Sequence, residues 1–199
     1  MRDLASLQVI AQYTDRMTSG DPVAGGWADR AARAAAAAVE ALRTAGVPPE
    51  GLAELVPAGR RFGVLPRPAR MRPLGEAWRL GALLLDAEGR LYAAGAATRA
   101  AERGRPGYQS ASREDRREIA AAALRGGYPV GAAVEYGATP LPTDDAGLLA
   151  LGDGAPVGVH DGELRVRWRA GAPLDGALPL EQYLAERVGL LADPPLGST

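Results

Sequence analysis

Cysteine, lysine and asparagine do not occur in this chain of 199 residues. Without cysteine there is no disulfide framework, no thiolate nucleophile and no cysteine-ligated metal or cluster. Without lysine there is no Schiff-base amine, and all 23 basic residues are arginines that stay protonated under ordinary conditions. Lysine and asparagine share A/T-rich codons, so a high-GC genome accounts for both absences and for the abundance of alanine. Histidine is nearly missing too. The single His160 excludes two-histidine metal motifs and leaves any Ser-His-Asp arrangement dependent on one residue. It precedes Asp161-Gly162 in a predicted turn, an ordinary place for an exposed histidine. A Gly-x-Ser-x-Gly elbow, a Walker A loop and a Gly-x-Gly-x-x-Gly fingerprint are all absent. No metal and no cofactor is expected.

Long apolar runs are lacking as well. A membrane-spanning helix needs roughly 18 uninterrupted apolar residues, and the N-terminal stretch is broken by Asp3, Gln8 and Gln12. The expectation is a cytoplasmic protein without membrane contact. A formal net charge of -1 argues against general nucleic-acid binding, which needs an excess of basic groups to neutralise phosphates.

What is present reads as one α+β domain over residues 1–192, with a disordered tail at 193–199. Leu4, Leu7, Ala11, Thr14 and Met17 recur at helical spacing, so residues 1–20 form a candidate helical arm. Asp21-Pro22 offers a cap, and the following alanine-rich helix carries Trp27, Ala31, Ala34, Ala38 and Leu42 on one stripe before a Schellman-type stop at Gly46. Such a small-residue stripe also suits a homodimer. PPEGLAELV reads as a short helix, and residues 57–75 read as an Arg/Pro-rich loop because four prolines interrupt it. Two apolar runs flanking Asp-Ala-Glu-Gly predict a hairpin, with Leu83, Leu84 and Leu85 buried on both faces.

Further on, Ser112 to Gly127 predicts a helix and VGAAVEYGA a strand. The segment LLALGDGAPVGVHDGELRVRWR predicts a three-strand meander. Leu180, Tyr183, Leu184, Val188 and Leu191 share a face of a last helix begun by Pro179. The expected fold is an antiparallel sheet of hairpins and a meander, covered by several helices.

Arginines supply the candidate binding residues. Arg60, Arg61, Arg67, Arg70 and Arg72 lie between Glu54 and Glu76 with no acidic residue among them. Arg165, Arg167 and Arg169 alternate with Leu164, Val166 and Trp168, which predicts a guanidinium ladder on one face of a strand. Either set suits a small anionic ligand or an acidic protein surface. Carboxylates are the remaining acid/base candidates, namely Glu76, Glu88, Glu135, Asp144 and Asp145. Mid-strand Glu135, with Tyr136 beside it, gives the enzyme alternative: hydrolysis or isomerisation of a small polar metabolite.

The succession ALRTAGVPPEGLAELVPAGR, GEAWRLGALLLDAEGRLYAAG and LPLEQYLAERVGLL resembles a group of short, uncharacterised bacterial proteins from high-GC genomes, some of which carry the label glutaminase. The resemblance covers most of the chain through turns and apolar runs, which hold no catalytic information. It would imply an amidase reaction, yet Ser-x-x-Lys, a cysteine nucleophile and a threonine-lysine pair are all ruled out by the composition. The leading expectation is therefore a binding or interaction module.

Overall fold

The structure, a computed structural model, describes residues 26–61, 64–104 and 111–194. The expected N-terminal arm, the Asp21-Pro22 cap and most of the tail lie outside the described residues. Four helices are described: α1 (Trp27–Thr44), α2 (Ala111–Arg125), α3 (Asp145–Leu149) and α4 (Leu180–Ala192). Strands β1 (Glu50–Val56), β2 (Gly59–Arg61), β3 (Leu65–Arg67), β4 (Arg70–Leu80), β5 (Leu83–Asp86) and β6 (Leu91–Ala93) follow α1. The rest are β7 (Ala96–Arg99), β8 (Ala133–Tyr136), β9 (Thr139–Pro140), β10 (Val157–His160), β11 (Glu163–Val166) and β12 (Leu178–Pro179). The class is α+β, with strand pairing mostly antiparallel.

Contacts divide the chain into two compact units, each with its own apolar cluster. The first gathers the described residues up to Pro48, Trp78–Ala93 and the described residues from Pro140. Its α1 packs on α4, and the predicted stripe is the buried one, with Ala34, Ala38 and Leu42 at 0–1% exposure. The stripe is thus covered within its own chain, which removes the reason to expect a second copy there. Alanine lets the two helix backbones approach closely. α1 ends as expected: Gly46 takes φ +66°, Val47 N donates to Leu42 O (3.1 Å) and Gly46 N to Arg43 O (3.0 Å), the Schellman pattern. Its start is capped from elsewhere, because Ala28 N donates to Asp145 Oδ1 at 2.7 Å.

The β5–β6 hairpin forms as predicted, with Leu84 opposite Tyr92 and all of Leu83–Asp86 buried. Asp86 closes its turn. The carboxylate accepts from Glu88 N, Arg90 N, Arg90 Nε and Tyr92 Oη. The expected meander differs. Leu148 and Leu149 are the last two residues of the helix α3, capped by Asp144, and the sheet consists of β10, β11 and β12. Asp161 and Gly162, both at positive φ, make the two-residue turn between β10 and β11. α4 buries Leu180, Tyr183, Leu184 and Val188, while Leu191 is exposed.

In the second unit β7, β8, β1 and β4 lie side by side in that order. Within PPEGLAELV, Glu50–Val56 is a strand, not a helix: β1 pairs antiparallel with β4 on one side and parallel with β8 on the other. Pairing on both edges overrides the helix preference of Leu, Ala and Glu. The parallel pair also corrects the expectation of a purely antiparallel sheet. Residues 57–75 are not a loop, since they hold β2, β3 and the start of β4. The prolines fit because Pro66 sits in the two-stranded β2–β3 ribbon, and Pro73 adjoins a bulge at Leu74, where the register between β1 and β4 shifts.

Candidate functional site

After β11 the chain does not continue the predicted alternation. The strand stops at Val166, and Arg167 turns inward to 4% exposure. Its guanidinium donates to Ala172 O (2.9 Å), Val157 O (3.1 Å) and Ala155 O (3.2 Å), and reaches Asp153 Oδ1 at 3.0 Å. A buried guanidinium needs these acceptors, and three backbone carbonyls supply them. The arginine ladder is thereby dissolved. Arg165 is paired with Glu163 at 2.8 Å, Arg167 anchors the loop, and only Arg169 is exposed.

Locking Arg167 inward throws Trp168 outward, to 72% exposure, where it had been expected on the buried side. Arg169 stacks over its indole, 4.5 Å from the ring centroid. The indole also lines a cleft of about 470 Å³ in the first unit. Val166, Leu178 and Tyr183 supply apolar walls, Gly81, Ala82, Gly176 and Ala177 are the small residues of the lining, and Arg187 completes it.

α4 positions two of these groups by its own pitch. Tyr183 and Arg187 are four residues apart and so share a face, with the guanidinium 5.1 Å from the tyrosine centroid. Tyr183 Oη donates to Leu80 O (3.0 Å) and accepts from Ala82 N (2.9 Å), which fixes the ring against the turn between β4 and β5. Gly81 at that turn has φ +66°, and a Cβ there would come within 2.3 Å of Tyr183 Oη. Glycine is therefore required on both conformational and steric grounds.

Arg187 is the only charged residue lining the cleft. Among the described residues neither it nor Arg169 takes part in an ion pair. A permanently protonated group on a largely apolar wall favours a guest of negative charge. Sequence reasoning named Arg169 but missed Arg187; it set Trp168 on the strand face opposite the arginines, and it set Tyr183 on the apolar face of the last helix, where Tyr183 is indeed buried. The available signal was the Tyr-x-x-x-Arg spacing on the last helix.

The remaining candidates lie elsewhere. Arg60, Arg70 and Arg72 are exposed on β2 and β4, and Arg67 is half-buried on β3. Arg61 is in β2. Arg72 pairs with Glu54, whereas Arg60, Arg67 and Arg70 join no ion pair among the described residues. Beside them Val64, Leu65 and Leu74 are 56–75% exposed. Glu135 is fully buried in β8, opposite Leu52 and Ala97, and Tyr136 is half-buried against the second cluster. His160 is half-exposed at the end of β10, with Asp161 Oδ2 at 3.3 Å.

No group of His, Asp and Glu among the described residues is arranged to hold a metal ion, and no described helix is long and apolar enough to cross a membrane. Comparison with protein-family models, curated proteins and solved structures gives no match.

Proposed function

We propose that the chain is a binding module for a small anionic ligand, held in the cleft between β11–β12 and α4. The observation that carries this reading is Arg187, the one charged group in the lining and one without a carboxylate among the described residues. Its guanidinium lies over the Tyr183 ring, so it is already partly ordered before a ligand arrives.

The test is thermal unfolding with nucleotides, phosphorylated sugars and carboxylates at two salt concentrations. A ligand that binds only the folded state at a hundred times its Kd stabilises by about 2.7 kcal/mol, which is easily seen as a rise in Tm. Salt should shrink the rise, and Arg187→Ala should abolish it. An Arg67/Arg70/Arg72 triple alanine variant should keep it. A rise that survives Arg187→Ala, or none with any anion, overturns the proposal.

A second reading rests on a different observation. Arg60, Arg67 and Arg70 stand unpaired among the described residues beside exposed Val64, Leu65 and Leu74, a mixture suited to an acidic protein surface. Under that reading the triple alanine variant loses a partner and Arg187→Ala does not.

A further inference from the structure

We infer that the ligand of the cleft carries a flat aromatic ring as well as its anionic group, with the ring stacked on Trp168 and the charge on Arg187. This inference rests on the preceding reading and adds the class of ligand to it. Three observations carry it.

The first is how differently the three tryptophans are treated. Trp27 donates its indole N–H to Gly162 O at 2.9 Å and Trp78 to Val47 O at 2.8 Å, and Trp78 is buried. Trp168 is 72% exposed, and its N–H makes no hydrogen bond among the described residues. A large apolar ring held in water is costly unless something covers it.

The second is that this exposed ring is nonetheless held in place. Arg167, immediately before it, is clamped by three carbonyls and Asp153, and Arg167 N donates to Pro156 O at 2.7 Å. Arg169 covers one face of the indole. One face remains for a guest, and a ring that is already ordered loses little entropy when it stacks.

The third is size and polarity. A bare phosphate or acetate would leave most of about 470 Å³ and the walls of Val166 and Leu178 unfilled. Volumes of roughly 300–1,000 Å³ with apolar walls and few polar groups are the usual setting for whole small molecules. An aromatic ring fills the apolar part, and its carboxylate or phosphate meets the guanidinium.

The experiment pairs ringed and ringless anions on the intact chain. Adenosine monophosphate is compared with ribose 5-phosphate, and indole-3-acetate with acetate, by calorimetric titration at low salt. Quenching of tryptophan emission is followed in parallel for adenosine monophosphate. Stacking on an aromatic side chain should strengthen the ringed member by roughly 5- to 100-fold.

Trp168→Ala should erase that ratio and the quenching, Trp168→Phe should restore most of the ratio, and Arg187→Ala should weaken both members. Trp168 is exposed, so these variants should fold, and far-UV circular dichroism checks it. Comparison of the two ringless members, ribose 5-phosphate and acetate, distinguishes phosphate from carboxylate. Equal affinities within both pairs overturn the ring and leave the anion site standing. Adenosine or indole binding as tightly as its charged counterpart overturns the anion site, and no binding by any probe overturns both.

Discussion

A guanidinium at 4% exposure is held by the carbonyls around it, and Arg167 has three of them plus Asp153. Replacing it by methionine leaves those carbonyls without their donor. The expected loss in chemical denaturation is about 3 kcal/mol, with Arg167→Lys recovering less than half because an ammonium cannot fork between separated acceptors. Arg187→Met, at the surface, should cost under about 1 kcal/mol. Equal costs for the two would contradict the division between anchor and ligand contact. Asp86 makes a second residue-level prediction. Burial pushes its carboxyl up, but hydrogen bonds from Arg90 and Tyr92 outweigh this and hold it below the ordinary value of 3.8. The unfolded chain therefore binds the proton more readily than the folded one. Asp86 contributes its stability fully above about 3.8 and loses it as pH falls through the lower folded value. Asp86→Asn should flatten the acid limb of stability against pH, and an unchanged limb would refute the assignment.

Among the elements, α1 offers two separate tests. Gly46 at its end has nothing within 4 Å of an added Cβ, so Gly46→Ala isolates the left-handed backbone and should cost about 1 kcal/mol. Asp145→Ala removes the acceptor at its start and should also cost about 1 kcal/mol, and the two losses should add. Thermal melts of both variants and the double variant decide this. The stripe and stop of α1 were legible in the sequence because period and cap agree there, as they do in the β5–β6 hairpin, the Asp161-Gly162 turn and most of α4. β1 was not. Leu52 and Ala53 are both buried though adjacent, so no alternation marks the strand, and its residues favour helix when considered alone. The prolines of 57–75 hid β3 and β4 because a bulge and a two-stranded ribbon tolerate what a central strand would not. The site was half legible. Arg169 was visible as a charge, but the inward turn of Arg167 that exposes Trp168 depends on carbonyls 5 to 12 residues away, and Arg187 gains its meaning only from the cleft beside it.

For the whole molecule, the two apolar clusters predict a result for truncation. The first draws on α1, on Trp78 to Leu91 and on residues beyond Pro140, so no continuous fragment contains it. A chain ending at Thr139 should lose the fold around Trp27 and Trp78, seen as a red shift of emission and a broadened melt. A sharp melt with unshifted emission would refute that. The parallel contact of β1 with β8 has a consequence for synthesis. Gly51 meets Val134 across roughly eighty residues, whereas the opposite edge of β1 is met by β4 soon after it is made. At about 5–20 residues per second, β1 would leave the ribosome some 4–16 s before its second neighbour exists. For that interval one side of the nascent strand is an open template, so variants that slow or weaken β8 should appear first as aggregates in the cell rather than as lower melting temperatures in the tube.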